Sequence, residues 1–491
     1  MADYNQLKNQ SILETITTSF ASVGTTTGTA NGSIAAGVPV VINSSGTLSS
    51  VSNAAQVGPG TAVRVDASYS TSGDGSAAVY DSVNNKIIAF YTYTSGNNAY
   101  PNAAVGTVSG NAISWQNPIS FNNGQTTLTS QIGAAYDPVN QKSVVFYVDK
   151  YYNYVMCQVV TTNATYPYTS FGSPVTVLSS PSIVLAADYD SVSGKIVVGV
   201  YNTGTKSAAV YIGTISGTSI SFGTPVTYVT GGVPDPIQVG RIKCGNGKVV
   251  IAYGQTYARY VVVGTISGTS ISFGTPASFI GDQATLRSLD YSDADDKFMV
   301  SYNYSYSYVR AFSVSGTTIT LGTQFQVDAD SPALYVKYSP SLKKFTIFKN
   351  LTARTVTLTG TTITTSSNIT LLTEIGTNPV PTIVYNSVNS VYVMVGIDNT
   401  IGTGASMYAY VFHPAFTSLS ATNYIGISAG SYSNSQTATV QVLGSINSLQ
   451  TGLTPGQSYF VQNSGTLSTT PGTPAVFAGT AISSTSLLVK G

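Results

Sequence analysis

The side chains of this sequence that could act as catalysts are few and scattered. The one histidine, His413, lies beside a proline in the segment YVFHPAF, where an imidazole usually has a structural role. We find no serine–histidine–aspartate set and no histidine–cysteine cluster with the spacing of a metal site. The segment GDGSAAVYD at residues 73–81 lacks the lysine and the helix of a phosphate-binding loop. We therefore predict that the protein is not an enzyme and has no cofactor or metal.

Repeated aspartates are the second group of chemically capable side chains. Asp81, Asp137 and Asp190 each stand at the start of a short polar turn, where a carboxylate accepts hydrogen bonds from backbone N–H groups of its own turn. The run DYSDADDK at residues 290–297 contains four carboxylates that could attract a cation, but it lacks the full calcium-loop pattern. We predict that the first three cap turns and that the run is a solvated turn.

Tyrosines are the third group, and they favour binding. They concentrate in the irregular stretches YTYTSGNNAYPN, YVDKYYNYV, YGQTYARY and YNYSYSYVR. A tyrosine combines a rigid apolar ring with a polar tip, which suits contacts with sugar rings or protein surfaces. We expect about half of these rings to pack in the interior and the others to form a ligand-binding face. The candidate binding residues are Tyr93, Asn98, Tyr100, Lys150, Tyr151, Tyr152, Asn202, Gln255, Tyr257, Arg259, Tyr304 and Tyr306.

These residues recur because the sequence is built from repeats. The phrase GTISGTSISFGTP occurs at residues 213–225 and again at 264–276, and looser copies precede and follow it. A second recurring phrase, such as AAVYDSVNNKIIAFY, contains a turn closed by a lysine. These lysines lie 47 to 56 residues apart, at Lys86, Lys142, Lys195, Lys248, Lys297 and Lys344, and Val391 takes the place of the lysine in a seventh copy. A period of this length indicates a repeat architecture.

Each unit contains four strand-like runs, which is the pattern of one blade of a β-propeller. The second run of each unit, as in IIAFY and SVVFY, is continuously apolar, as expected for a strand buried on both faces. We predict an all-β chain with a seven-bladed β-propeller of four-stranded antiparallel blades over residues 64–418. A β-sandwich is the alternative, but it predicts no internal period. The seventh unit lacks its last turn, so we expect a segment from residues 24–70 to supply its outer strand.

Small flanking modules are predicted at both ends of the repeats. Residues 1–23 are either a helix, with Ser11 and Glu14 at capping-box spacing, or an extended terminus. Residues 24–63 form a small β segment and residues 423–491 a β-rich module. The phrase NSSGTLS in the first and NSGTLS in the second indicate related hairpins. Two further residues of note, Cys157 and Cys244, lie in different repeats and are predicted to be free thiols.

Charge and hydropathy exclude several classes of partner. The 20 basic and 19 acidic residues give a net charge of +1, which argues against a nucleic-acid-binding surface. No run of 18 apolar residues occurs, so we predict no membrane insertion. The first twenty residues lack the apolar core of a signal peptide.

The C-terminal segment resembles the terminal β module of tailed-bacteriophage virion proteins, notably the tail fibres of marine phages. The pattern IGI, VLG, GLTPGQSYFVQ, GTLS and AGTAISSTSLLVKG carries this resemblance within residues 423–491. The segment AAGVPVVINSSGTLSSV is similar to N-terminal pieces of such proteins. The repeats match no propeller signature, since Trp115 is the only tryptophan and Trp-Asp motifs are missing. The resemblance implies a virion protein assembled in the host cytoplasm, contacts with other virion proteins and a homo-oligomer, with a trimer favoured.

Two hypotheses of function follow. In the first, the protein is a virion fibre or appendage whose propeller face attaches to a glycan or protein of the host surface. In the second, it is an architectural decoration or head-fibre protein that binds no receptor. A lectin-like cellular adhesin is a third reading, and it would need an export route for which the sequence shows no signal peptide.

Overall fold

The computed structural model describes most of the repeats and much of both flanks. The described residues are 24–31, 33–43, 46–51, 63–66, 76–95, 98–109, 112–121, 132–149, 151–230, 240–255, 257–281, 284–329, 334–340, 342–349, 352–366, 369–370, 382–389, 391–398, 406–412, 419, 422–433, 435–462, 465–472 and 474–490. In these residues every regular element is a β-strand, so the predicted all-β class is confirmed. No helix within these ranges is long and apolar enough to cross a membrane. Residues 1–23, for which a helix and an extended terminus were both predicted, and the histidine His413 lie outside them.

The chain divides into two compact units. One comprises Met1–Val57 and Ala415–Gly491, and the other comprises Gly58–Pro414. Four strands precede the repeats: β1 (Thr25–Thr29), β2 (Pro39–Ile42), β3 (Leu48–Ser50) and β4 (Val63–Arg64).

The repeats form seven consecutive antiparallel sheets among the described residues, numbered here in chain order. Sheet 1 contains β5 (Ser76–Asp81), β6 (Lys86–Ser95), β7 (Asn98–Ser109), β8 (Ala112–Trp115) and β9 (Ile119–Ser120). Sheet 2 contains β10 (Gly133–Asp137), β11 (Lys142–Val148), β12 (Val155–Thr162), β13 (Thr169–Phe171) and β14 (Val175–Leu178). Sheet 3 contains β15 (Ser182–Asp190), β16 (Lys195–Asn202), β17 (Ser207–Ser216), β18 (Ser219–Phe222) and β19 (Val226–Val229). Sheet 4 contains β20 (Arg241–Gly245), β21 (Lys248–Gln255), β22 (Ala258–Ser267), β23 (Ser270–Phe273) and β24 (Ala277–Ile280).

The remaining sheets of the repeats follow the same order. Sheet 5 contains β25 (Thr285–Ser292), β26 (Lys297–Tyr304), β27 (Tyr306–Ser315) and β28 (Thr318–Asp328). Sheet 6 contains β29 (Leu334–Ser339), β30 (Lys344–Lys349), β31 (Thr352–Thr359), β32 (Thr362–Thr365) and β33 (Ile369–Thr370). Sheet 7 contains β34 (Thr382–Asn386), β35 (Val391–Asp398) and β36 (Ser406–Phe412). Seven strands follow the repeats: β37 (Tyr424–Ser428), β38 (Thr437–Gln441), β39 (Ile446–Asn447), β40 (Ser458–Val461), β41 (Leu467–Ser468), β42 (Val476–Ala481) and β43 (Leu487–Val489).

The sheets of the repeats are joined in a closed ring. In each sheet the strands pair in chain order, and in most sheets the fourth strand is split into two short pieces that both pair with the third. The first strands contact one another in the order β5, β10, β15, β20, β25, β29 and β34, and β34 contacts β5 in turn. A closed ring of four-stranded antiparallel sheets is the architecture of a β-propeller.

The apolar core of this unit lies between neighbouring sheets. Separate clusters join sheets 1 and 2, 2 and 3, 3 and 4, 4 and 5, 5 and 6, and 7 and 1. Between sheets 6 and 7, the ring of Phe348 packs edge-on against Tyr392 with 5.0 Å between centroids. Each second strand is therefore covered on both faces, which is why its sequence is continuously apolar.

The ring is closed by a short segment that precedes the repeats. Strand β4 pairs antiparallel with β36 and so takes the place of the fourth strand of sheet 7. The N–H of Val65 donates to the carbonyl of Met407 at 2.8 Å, and the hydroxyl of Tyr91 in sheet 1 donates to Asp66 at 2.8 Å. The prediction that residues 24–70 supply this strand is confirmed. The ring therefore begins before residue 64.

The turns between first and second strands repeat one hydrogen-bonding pattern. One carboxylate oxygen of Asp81 accepts the N–H groups of Val83 and Asn84 at 3.2 and 3.0 Å. Asp137 makes the same pair of bonds in sheet 2, and Asp190 accepts one N–H in sheet 3. The prediction that these aspartates cap their own turns is confirmed.

In sheets 1 to 4 the lysine that closes the turn also has a repeated partner, whereas Lys297 in sheet 5 donates to backbone carbonyls of its own turn. In the first four sheets the ammonium donates to a threonine hydroxyl on the third strand of the same sheet, at 2.7 to 3.1 Å. The pairs are Lys86–Thr107, Lys142–Thr161, Lys195–Thr214 and Lys248–Thr265. The bond explains why lysine recurs at this position, because it fastens the second strand to the third next to the turn.

The phrase GTISGTSISFGTP, which occurs twice in the sequence, forms a tight hairpin that packs on the next sheet. Gly217 has φ = +60° between the paired residues Ser216 and Ser219, as expected for the first central position of a type II′ turn. At Gly223 an added Cβ would come within 2.0 Å of the carbonyl oxygen of Thr269 in sheet 4. Glycine is required there by the close approach of two backbones.

The two flanks, which the sequence presents as separate segments, share one sheet. Its strand order is β1–β38–β37–β2–β3, and a second sheet has the order β39–β43–β42–β40–β41. Val41 from the N-terminal side packs in one apolar cluster with Ile427 and Leu487. The related phrases share one backbone bond, since Gly46 and Gly465 each donate an N–H to the carbonyl three residues earlier at 2.9 Å.

A line of alternating charge joins the first strands of sheets 3 to 6. The ammonium of Lys243 lies 3.1 Å from a carboxylate oxygen of Asp188 and 3.6 Å from one of Asp290, and Lys337 lies 3.4 Å from Asp290. Asp290 also accepts the N–H of Tyr338 in sheet 6 at 2.8 Å. Asp290 was predicted to belong to a solvated turn, and that prediction is wrong, because the carboxylate is buried between two lysines of neighbouring sheets.

We expect the substitution Asp290→Asn to lower the free energy of unfolding at pH 7 by about 3 kcal/mol, because it removes the buried carboxylate that faces both Lys243 and Lys337 and leaves only Asp188 beside Lys243. Burial raises the pKa of Asp290, but Lys337, Lys243 and the backbone bonds lower it more, so the folded pKa lies below its usual value. This contribution is therefore present above about pH 4 and is lost as the pH falls through the folded pKa. Unfolding measured at pH 7 and pH 3 checks both points.

The matched control is Asp293→Asn, which removes an exposed carboxylate from the next turn of the same sheet. Equal stability losses for the two variants at pH 7 would contradict the role given to Asp290.

Candidate ligand-binding face

The turns between second and third strands lie at one end of the ring. In an antiparallel sheet these turns are opposite to the turns between first and second strands. The latter turns of neighbouring sheets contact each other: Asn386 donates to Asn85 at 3.0 Å and Tyr136 donates to Asp81 at 2.6 Å. Because those turns share one end of the ring, the others share the opposite end. We call this opposite end the tyrosine face.

In sheet 2 the tyrosine face presents two rings on a rigid turn. Tyr151 and Tyr152 are 71% and 65% exposed. Their N–H groups both donate to one carboxylate oxygen of Asp149 at 3.0 Å, and the ring of Tyr152 stacks on Tyr154 at 5.2 Å. The carbonyl of Asn153 accepts an N–H from sheet 3 at 3.0 Å, which anchors the turn to its neighbour. The backbone that carries both rings, and the ring of Tyr152, are therefore held in place before any ligand arrives, which lowers the entropic cost of binding.

In sheet 5 four tyrosines form two cross-strand pairs beside a tight turn at Ser305. Tyr304 is opposite Tyr306 next to the turn, and Tyr302 is opposite Tyr308 two residues further from the turn. The inner pair stacks at 5.7 Å, and Tyr306 packs edge-on against Tyr308 at 6.3 Å. The rings next to the turn are exposed while Tyr302 is fully buried. The buried ring thus supports the exposed ones.

Fully buried tyrosines recur near this end of the second strands. They are Tyr91, Tyr147, Tyr201, Tyr253 and Tyr302, one in each of sheets 1 to 5. The hydroxyl of Tyr147 donates to Gln158 at 3.1 Å, and burial raises the pKa of this phenol above its usual value. These rings belong to the core between sheets, and all but Tyr201 lie in the four tyrosine-rich stretches, of whose rings about half were expected to pack inside.

Two predicted binding residues have other roles. Arg259 is 5% exposed, and its guanidinium donates to the carbonyls of Ala284 at 2.5 Å and Ala258 at 3.2 Å. Asn202 accepts the N–H groups of Gly204 and Thr205 and caps the turn of sheet 3. Both were predicted to bind a ligand because they lie beside tyrosines in the sequence. In the structure Arg259 donates to backbone carbonyls and Asn202 accepts backbone N–H groups.

The other candidates have the following positions. Tyr257 is 66% exposed beside the end of β21, where Gln255 is half-buried. In sheet 1 Tyr93 is opposite Tyr100, and Asn98 begins β7 on the same hairpin. The sixth of these candidates, Lys150, lies outside the described residues. The candidates are thus spread over the turns of sheets 1 to 5, and the ring contacts of Tyr152 and Tyr306 are within their own sheets.

Sequence reasoning missed the residues that support the exposed rings. Asp149 fixes the turn that carries Tyr151 and Tyr152, and the ring of Tyr154 stacks on the ring of Tyr152. An aspartate two residues before an exposed aromatic could have been recognised as a turn cap. The stack could not, because it depends on side-chain directions after the turn.

The acidic and cysteine side chains of the described residues are dispersed, and both thiols are buried. The described residues contain no group of three or more histidine, cysteine, aspartate or glutamate side chains placed to hold a metal ion. Cys157 and Cys244 are free and buried, as predicted for the thiols, and burial raises the pKa of Cys157 to about 12. Both thiols are therefore protonated at neutral pH.

Comparisons with known proteins concern the fold alone. No family model matches this chain, and no curated protein matches it. Among solved structures, it is similar to a Bacteroides uniformis protein provisionally assigned as a 6-phosphogluconolactonase, with 12% identity, coverage of 65% of this chain and 94% of that one, and a TM-score of 0.45. The chain is also similar to the WD40 domain of Toxoplasma gondii coronin, with 10% identity, coverage of 78% of this chain and 89% of that one, and a TM-score of 0.45. The lectin SapL1, in complex with α-methyl fucoside, has 12% identity, coverage of 61% and 96%, and a TM-score of 0.38. Similarities this remote carry no argument about function.

We expect the buried and exposed tyrosines to respond differently to substitution. Tyr147→Ala empties a fully buried position and should lower the free energy of unfolding by about 3 kcal/mol or more. Tyr151→Ala, at an exposed position, should change it by less than about 0.5 kcal/mol. Tyr147→Phe, which keeps the ring and removes the bond to Gln158, should cost about 1 kcal/mol. Urea unfolding measures all three, and a large loss for Tyr151→Ala would place that ring in the core.

Proposed function

We propose that this protein is a structural component of a bacteriophage virion, a fibre or appendage protein whose tyrosine face attaches to a glycan or protein of the host surface. In this proposal the repeats form a seven-bladed β-propeller and the flanks anchor the protein to other virion proteins. The observation that carries the binding role is the set of exposed tyrosines on turns at one end of the ring, with Tyr151 and Tyr152 on a turn held by Asp149. The resemblance of residues 423–491 to phage fibre modules supports the virion role.

Several features favour attachment over catalysis. The tyrosine rings are large apolar surfaces with a polar tip, and each ring stacked on a sugar contributes on the order of 1 kcal/mol. An affinity useful to a virion would then come from several rings and from several copies acting together. The thiols are buried and protonated, and the aspartates of the turns are committed to backbone bonds. We therefore propose that the protein is not an enzyme.

The attachment role is tested on particles that carry the double substitution Tyr151→Ala and Tyr152→Ala. We expect weaker adsorption to host cells, with the melting temperature of the protein nearly unchanged. Tyr166→Ala is the matched control, because Tyr166 is as exposed as Tyr151 but lies in the turn between third and fourth strands, at the opposite end of the ring. Electron microscopy of labelled particles locates the protein on head or tail.

Each outcome has a defined reading. Normal adsorption by the double variant would support the architectural alternative, a decoration or head-fibre protein. Absence of the protein from purified particles would overturn both virion roles.

We further propose that the flanks hold the protein in a homo-oligomer, most simply a trimer. The unit formed by the flanks exposes several aliphatic side chains, which suits contact between subunits. These are Ile42, Leu443, Ile446, Leu449 and Ile482. In sedimentation experiments we expect the full chain to be trimeric and the fragment of residues 58–414 to be monomeric. Equal self-association of the fragment would instead assign assembly to the ring, where Val83, Val139, Val192 and Val388 are exposed.

A further inference from the structure

Two arginines come together where the first strands of sheets 4 and 5 begin. The Nε of Arg241 donates to the carbonyl of Arg287 at 2.9 Å, so the two residues are in direct contact. First strands end at the aspartate turns, and they therefore begin at the end of the ring that carries the tyrosine face. Both arginines are partly exposed. They lie on the innermost strands, which face the centre of the ring.

These arginines differ from the lysines of the same strands, which form ion pairs with aspartates. The two lysines in the strands of sheets 3 to 6, Lys243 and Lys337, pair with Asp188 and Asp290. Within the described residues neither Arg241 nor Arg287 forms an ion pair with a carboxylate. Like charges repel, and the repulsion is stronger away from bulk water. Burial lowers the pKa of the Arg241 guanidinium, and the charge of Arg287 lowers it further.

The two guanidinium groups differ in which of their N–H groups donate hydrogen bonds to the chain. Arg241 is surrounded by backbone carbonyls, with bonds to Gly240, Leu286 and Arg287 at 3.4, 3.4 and 2.9 Å. Arg287 donates from its Nε to the side-chain oxygen of Asn303 at 2.8 Å, and the edge formed by its two terminal nitrogens has Tyr335 as a neighbour. That edge is the fork that binds a carboxylate through two parallel hydrogen bonds.

A tyrosine hydroxyl completes the set of donors. Tyr335 is the second residue of the first strand of sheet 6, and its buried hydroxyl lies beside Arg287. Among the described residues none accepts the proton of this hydroxyl. A buried donor without an acceptor costs free energy, and an anion beside Arg287 would supply the acceptor.

We propose that Arg287, Tyr335 and Arg241 bind the carboxylate of an acidic sugar. One free guanidinium fork and one hydroxyl suit a planar, singly charged anion with two oxygens. The exposed rings of Tyr304 and Tyr306 are in the same sheet as Arg287 and at the same end of the ring, where they can contact the body of the sugar. The assignment of the ligand as a sugar rests on the proposed role in host attachment, whereas the carboxylate site rests on the arginines alone.

Calorimetric titration of the full-length protein with sodium glucuronate, and with glucose as the neutral twin, tests this site. We expect binding of glucuronate and not of glucose. Arg287→Met should weaken glucuronate binding by at least about tenfold, because it removes the charged fork. Arg287→Lys, which keeps the charge and loses the fork, should weaken it less while keeping the melting temperature of the wild type. Lys343→Met is the control, since it removes an exposed cation from a turn at the opposite end.

The proposal is overturned if glucuronate fails to bind, if glucose binds equally well, or if both Arg287 variants bind glucuronate like the wild type. A loss of stability in Arg287→Met without any ligand that is well above the cost of its bond to Asn303 would also overturn the proposal, because a group of the chain itself would then already neutralise this pair. Retained glucuronate binding together with normal adsorption by the Tyr151 and Tyr152 double variant would contradict the proposed attachment role and leave the carboxylate site standing.

Discussion

The burial of each second strand on both of its faces is the constraint on which the rest of this ring depends. A strand such as β11 or β21 has no polar face to turn to water, so it is stable only between two neighbouring sheets. Every sheet thus needs two neighbours, and a linear row would leave one apolar face exposed at each end. Closing the row into a ring removes that cost. Strand β4 completes the closure by supplying the edge strand that sheet 7 lacks.

In the closed ring the turns lie at two opposite ends, and the turns at these ends have different properties. At one end, aspartate caps, lysine–threonine bonds and tight SGTS hairpins repeat from sheet to sheet. These contacts fix the spacing of neighbouring sheets, and Gly223 shows how little room they leave. At the other end the turns need only join the second strand to the third. Their sequences are free to vary, and there the exposed tyrosines are found.

The few charges of the chain matter because the ring brings them together. Lys243 lies on one strand between the aspartates of two others, and each of these aspartates also accepts an N–H from a neighbouring sheet. The same geometry that pairs Asp188 and Asp290 with lysines leaves Arg241 beside Arg287 at the other end of these strands. Within the part of the chain that the structure describes, this arginine pair has no carboxylate partner, which distinguishes it from the paired lysines.

The sequence by itself determined the all-β class, the repeat of four strands, the two-sided burial of the second strand and the capping aspartates, because these follow from local patterns that recur in each unit. Only the tertiary structure decided that β1 pairs with β38, that β4 closes the ring and that Asp290 is buried between lysines. It also decided that Arg259 and Asn202 serve the backbone while Tyr151 and Tyr152 face outward. These outcomes depend on which distant segments meet and on which way a side chain points, and neither leaves a local pattern in the sequence.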